Sequence, residues 1–136
     1  MKFEDLKLNQ TYETKRKITS HMIETFAEIT GDKNPVHLDE EYASKTIFKK
    51  RIAHGILSIG LISAVLGMEF PGPGTIYLKQ DSKFLKPIFL DEEITIKITV
   101  KEKIDEKSRL ILITQIMKED GTLAVDGEAL VLFKGE

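Results

Sequence analysis

The stretch Gly55-Ile56-Leu57-Ser58-Ile59-Gly60-Leu61-Ile62-Ser63-Ala64-Val65-Leu66-Gly67-Met68 contains no charged side chain and no proline. It predicts a helix from His54 or Gly55 to about Glu69, stopped by Pro71-Gly72-Pro73-Gly74, because proline cannot continue a helix. The helix is apolar on most sides, with Gly60, Ser63, Ala64 and Gly67 keeping parts of it thin. A helix without a polar face has to be surrounded. The apolar run from Ile56 to Met68 is only about one-half to two-thirds of a membrane span, so a buried core helix is expected.

The residues after it supply the cover. From Glu93 to Ile104, Ile94, Ile96, Ile98, Val100 and Ile104 face one way, while Thr95, Lys97, Thr99, Lys101 and Lys103 face the other. That alternation describes a sheet with one dry and one wet face. Asp105-Glu106-Lys107 leads into a second strand, Ser108 to Lys118, and Asp120-Gly121 is a hairpin signal before Thr122 to Phe133. Thr75 to Phe84 reads as a further strand, with Lys86-Pro87 and Asp91 marking the turn after it. Helices early and four strands late, without helices between them, argue for an antiparallel α+β fold. A curved antiparallel sheet wrapped around the long central apolar helix is the hot-dog architecture.

The first half carries the polar detail. Thr11 to Ile18 is weakly strand-like. Thr19 or Ser20 caps a helix over residues 21–30, whose apolar stripe includes Met22, Ile23, Phe26 and Ala27. Gly31 suits the left-handed position past its end. Pro35 disfavours helical geometry at Asn34, so residues 31–37 are expected to form an ordered, extended turn. Asp39 caps a short helix through Glu40, Glu41, Tyr42 and Ala43, and a basic loop from Lys45 to Arg51 follows.

Composition narrows the function classes. With 136 residues, 41% hydrophobic and 31% charged, the chain is read as one domain, residues 1–136. A net charge of −2 gives no reason to expect nucleic acid or an anionic membrane as partner. Without cysteine there is no disulfide framework, thiolate nucleophile or cysteine-based zinc site, which fits a cytoplasmic location. The N-terminus carries Glu4 and Asp5 and has no apolar core, so it is not a signal peptide.

The chemistry gathers around residues 26–37. A helix that stops at Gly31 at once presents a carboxylate, Asp32, and an imidazole, His37, five positions apart. Ala53-His54-Gly55 points the start of the apolar helix toward the same place. An imidazole transfers protons near neutrality, and a helix N-terminus offers unpaired N–H groups to a developing negative charge. Together they suit reversible addition of water to an activated double bond. Asp32, His37 and His54 also make a two-histidine, one-carboxylate set for a metal, but no HxH or HxxxH spacing is present. Ser58 does not lie in a G-x-S-x-G elbow, which argues against a serine hydrolase.

Phe26 through His37, with Gly31-Asp32-Lys33-Asn34-Pro35-Val36-His37 at its centre, resembles the MaoC-like dehydratase family, and within it the (R)-specific enoyl-CoA hydratases. Ile52-Ala53-His54-Gly55-Ile56-Leu57 and Phe84 through Glu92 are similar to two further family segments, and the order matches over nearly the whole chain. The resemblance implies (R)-specific hydration of a 2-trans-enoyl-CoA, with no metal or redox cofactor, by a homodimer. The thioester is carried by coenzyme A or by an acyl carrier protein. It implies Asp32 and His37 as the catalytic pair and the Gly55 backbone N–H as the donor to the thioester oxygen. Ser63 matches a polar position of the central helix, and Asn34 a loop-shaping one. Lys49, Lys50 and Arg51 either grip the phosphates of coenzyme A or form a solvated loop. An acyl-CoA thioesterase and a non-catalytic acyl-CoA-binding protein are the alternatives on the same fold.

Overall fold

The computed structural model describes residues 1–135; Glu136, the last residue of the expected 1–136 domain, lies outside them. Strands β1 (Thr11–Lys17), β2 (Thr75–Phe84), β3 (Glu93–Ile104), β4 (Arg109–Met117) and β5 (Leu123–Phe133) form one antiparallel sheet. Their order is β1-β3-β4-β5-β2, so β1 and β2 are its edges. Between the two edge strands in the chain lie helices α1 (Ser20–Thr30), α2 (Pro35–Leu38), α3 (Glu40–Ser44) and α4 (Gly55–Met68). Alternation sorts the strand side chains as expected as far as Val100: Ile94, Ile96, Ile98, Val100, Leu110, Leu112, Ile116 and Val131 are fully buried on one face. Beyond the Val100/Glu102 shift the faces exchange, and Lys103 rather than Ile104 pairs with buried Leu110. Register shifts at Tyr77/Lys79, Val100/Glu102 and Ile116/Met117 interrupt the ladders, and such bulges increase local twist. The dry face shares one core with Ile62, Val65 and Leu66 of α4. This is the hot-dog arrangement.

Polar contacts hold the far end of α4. The Tyr12 hydroxyl donates to Glu69 Oε1 at 2.7 Å, Arg16 pairs with the other carboxylate oxygen, and Tyr12 stacks on Phe70. Lys118 and Glu92 form a half-buried ion pair at 2.7 Å that ties the end of β4 to the turn before β3.

Two further expectations need correction. Residues 31–37 are not extended throughout, because Pro35 begins the single turn of α2. Proline is pre-organised for a first helical position, and the Asn34 side chain accepts from Val36 N at 3.2 Å as its cap. The restriction on Asn34 itself holds, with φ −55° and ψ 123°. Nor is α4 covered on every side. Ile56, Gly60, Ala64 and Met68, each four residues apart, remain exposed along one stripe. The sheet of one chain covers only part of the helix. No helix among the described residues is long and apolar enough to cross a membrane.

Ile62 is completely buried at the centre of this packing. Ile62→Ala should cost about 2–5 kcal/mol, read in urea as a lower midpoint with an unchanged slope.

Candidate active site

The helix-turn-helix around Asp32 follows from local chemistry. Gly31 takes φ +81°, and its N–H closes α1 on Ala27 O at 2.8 Å. The Asp32 N–H is then held by Thr30 Oγ1 at 3.1 Å, which leaves the Asp32 carboxylate exposed. Two residues later Asn34 caps α2, and His37 sits on that short helix, 9% exposed.

The His37 ring has a defined tautomer. Its Nδ1 lies 2.8 Å from the Ile52 carbonyl oxygen, and a carbonyl can only accept. Nδ1 therefore carries the proton in the neutral ring, and Nε2 keeps a free lone pair. Burial pushes the His37 pKa below its ordinary value and His54 adds to that, against the pulls of the Ile52 carbonyl and Asp32. Neutral His37 is thus the form suited to accept a proton.

His54, 2% exposed, precedes α4 and makes no side-chain cap to it. Its Nε2 donates to the Asp32 carbonyl at 3.0 Å, and its ring stacks on His37 with centroids 3.9 Å apart. Its Nδ1 is buried without a hydrogen-bond partner among the described residues. His54 is a strut joining the Asp32 turn to the start of α4.

Asp32, His37 and His54 bring candidate ligand atoms within 4.8 Å of one another. The two imidazole planes are inclined by only 28°, so they intersect several ångströms away, well beyond the about 2 Å of a metal–nitrogen bond. The arrangement suits proton transfer better than chelation.

A cavity of about 390 Å³ opens beside the two rings. His37, His54, Gly55 and Ser58 are in its lining, together with mostly apolar residues including Phe48, Phe84, Ile88 and Val125. Asp32 stands outside the lining, within reach of the imidazoles. Gly55 opens α4, and a Cβ there would come within 2.9 Å of the Phe84 ring. The Ser58 hydroxyl is buried and donates to Gly55 O at 2.5 Å, so it is not a free nucleophile. Ser63 is half-buried on α4, away from the lining, and Asn34 acts as the α2 cap. The basic run diverges. Lys49 is exposed, Lys50 lies over the Phe89 ring at 5.2 Å, and Arg51 turns inward, its Nε donating to His37 O at 2.7 Å. None of the three lines the cavity, whereas Lys86 does. Sequence reasoning missed the Ile52 carbonyl and the inward turn of Arg51: backbone acceptors have no residue signature, and Arg51 follows two solvated lysines.

The chain is similar over most of its length to known proteins. Residues 4–120 match the MaoC like domain family. The chain is 45% identical over 129 residues to the 3-hydroxybutyryl-CoA dehydratase of Methylorubrum extorquens, covering 95% of this chain and 82% of that one. It is 41% identical over 130 residues to the (R)-specific enoyl-CoA hydratase of Rhodospirillum rubrum, covering 96% and 90%. The unliganded R-hydratase PhaJ1 of Pseudomonas aeruginosa superposes with a TM-score of 0.94 at 41% identity, covering 99% of this chain and 86% of that one.

The lowered pKa of His37 has a measurable sign. Unfolding returns the ring to about 6.5, so between the folded and unfolded values the unfolded chain binds more protons. Stability should therefore fall as pH drops below about 6.5 and through the folded value. Urea midpoints across that range should show the loss in the native protein, and His37→Gln should lack its share. An NMR titration of the His37 ring should give a midpoint below about 6.5.

Proposed function

Because the chain belongs to the MaoC-like domain family, we propose that it hydrates a 2-trans-enoyl-CoA to the (R)-3-hydroxyacyl-CoA and catalyses the reverse dehydration. The observation that carries this reading is the His37 Nδ1–H bond to the Ile52 carbonyl, 2.8 Å long. It leaves Nε2 bare, on a ring that lines a mostly apolar cavity and has a ligand atom within 4.8 Å of one from Asp32.

In the hydration direction, the Asp32 carboxylate accepts one hydrogen of a water molecule and holds its oxygen toward C3. His37 Nε2 removes the other proton as that oxygen bonds to C3. The electron pair of the double bond moves into the thioester, and charge collects on the thioester oxygen. The N–H of Gly55, at the uncapped start of α4, faces that charge; one such donor accounts for roughly 10²–10³ in rate. The imidazolium then returns its proton to C2. Both proton transfers come from one side of the planar substrate, which gives syn addition. The residues supply acid–base groups and a hydrogen-bond donor, so this scheme needs no metal or redox cofactor, and coenzyme A enters as part of the substrate.

A homodimer is the second part of the proposal. The stripe Ile56, Gly60, Ala64 and Met68 is uncovered, and the edge strand β2 exposes Ile76, Leu78 and Phe84. Unpaired edges invite another strand, and small residues such as Gly60 and Ala64 allow close approach of a second helix. A second copy of the chain supplies both kinds of cover.

Incubation with crotonyl-CoA should remove the conjugated thioester absorbance and yield the (R)-3-hydroxy product. Asp32→Asn and His37→Ala should each lower the turnover number by about 10²–10⁴-fold with circular dichroism unchanged. Release of free coenzyme A thiol without loss of conjugation would support a thioesterase instead. Light scattering at micromolar concentration should return the mass of two chains; a monomer would count against the interface built on α4 and β2.

A further inference from the structure

We infer that Arg51 is a positioning residue for His37: its guanidinium holds the His37 peptide, so that the imidazole keeps one tautomer and one direction. The inference rests on the proposal that His37 transfers the proton.

The helix that carries His37 is a single turn, α2, of four residues. A helix that short does not hold itself together in water, and its last carbonyls have no partner in a following turn. The strip just before α4 satisfies two of them. Ile52 N–H donates to Val36 O at 3.3 Å, and Arg51 Nε donates to His37 O at 2.7 Å. The carbonyl of Ile52 accepts the His37 ring proton at 2.8 Å. Two consecutive residues therefore hold the backbone and the ring of His37 together. The strip is fixed in turn, since Ala53 N–H donates to Ile88 O at 2.8 Å and Ile52 bridges to Phe89.

The guanidinium is itself anchored from two further elements. Its Nη2 donates to Ser20 Oγ at 3.3 Å at the start of α1, and its Nη1 lies 3.8 Å from Glu40 Oε1 on α3. The Arg51 side chain is only 11% exposed. A rigid planar fork with donors spread in different directions serves three helices at once, whereas an ammonium is a compact point charge. A positive group at the C-terminal end of α2 also complements the partial charge there. This assigns a role to the third residue of a basic run whose first two members lie outside the contact.

The test uses Arg51→Met, which keeps the aliphatic stem and removes every donor, and Arg51→Lys, which keeps the charge. With crotonyl-CoA, Arg51→Met should lower the turnover number by about 10- to 100-fold, with KM within about twofold of the native value. Arg51→Lys should fall between the two. The ¹⁵N spectrum of the His37 ring should show a protonated Nδ1 and a bare Nε2 in the native protein, and a mixture of tautomers in Arg51→Met. A folded Arg51→Met protein with native turnover, or with an unchanged ring spectrum, overturns the inference. Should Arg51→Met fail to fold, Ser20→Ala combined with Glu40→Gln removes the two outer anchors. That variant should lose several-fold in turnover and broaden the ring resonances; no change in either overturns the inference. Failure of the native protein to hydrate crotonyl-CoA would count against the proposed function alone, and the ring spectra would still decide the role of Arg51.

Discussion

The position of α4 is dictated by the surfaces that cover it, because the helix has no polar face to orient it. Burying an Ile, Val or Leu side chain fully is worth about 1.5–3 kcal/mol, and α4 buries Ile62, Val65 and Leu66 this way. A single hydrogen bond contributes about 0.5–1.5 kcal/mol net. The core therefore sets the direction of the helix, and the contacts at its two ends adapt to that direction. Glu69 is held by Tyr12 and Arg16 at one end; at the other, His54 reaches the Asp32 carbonyl. The aim of the Gly55 N–H is thus a product of sheet packing more than of any group in the cavity.

The two histidines show how the backbone distributes protons. His37 gives its Nδ1 proton to Ile52, and His54 gives its Nε2 proton to Asp32, so the stacked rings carry opposite tautomers. Neither assignment depends on an ionised neighbour, because carbonyl oxygens accept at every pH. Charging the His37 ring works against its burial, so the site at rest holds a neutral base. The apolar residues that share the cavity lining, among them Phe48, Phe84, Ile88 and Val125, offer the ring no hydrogen-bond partner.

The parts legible in the sequence were those with a period or a named chemical group. Alternation from Ile94 to Val100 located β3 and its dry face, and the uncharged run from Gly55 to Met68 located α4. Gly31 and Thr19 marked the ends of α1 through their backbone and side-chain chemistry. Asp32 and His37 could be named because a carboxylate and an imidazole are recognisable as residue types, and the structure brings them together with His54. What escaped was relational. The turn of α2 depends on Pro35 being followed by tertiary anchors, the stripe on α4 depends on the width of the sheet, and the inward path of Arg51 depends on a helix end twelve or more positions away in sequence. None of these leaves a local pattern, and Lys49-Lys50-Arg51 reads as one basic cluster until the fold separates its members.

The strand order β1-β3-β4-β5-β2 has a consequence for how the chain is made. Helix α4 leaves the ribosome before any of the three central strands, and Phe133, whose strand pairs with β2 from Thr75 onward, follows Met68 by 65 positions. At roughly 5–20 residues per second, the apolar helix waits roughly three to thirteen seconds for the last strand of its sheet. Helix formation takes about a microsecond and hairpin closure about ten at most, so α4 can form long before the sheet that packs on it has been made. β3, β4 and β5 can zip together as neighbours once they emerge, but the edge strands β1 and β2, both made earlier, must come back to meet them. The nascent chain, with α4 formed and its sheet not yet made, is therefore the species most exposed to aggregation.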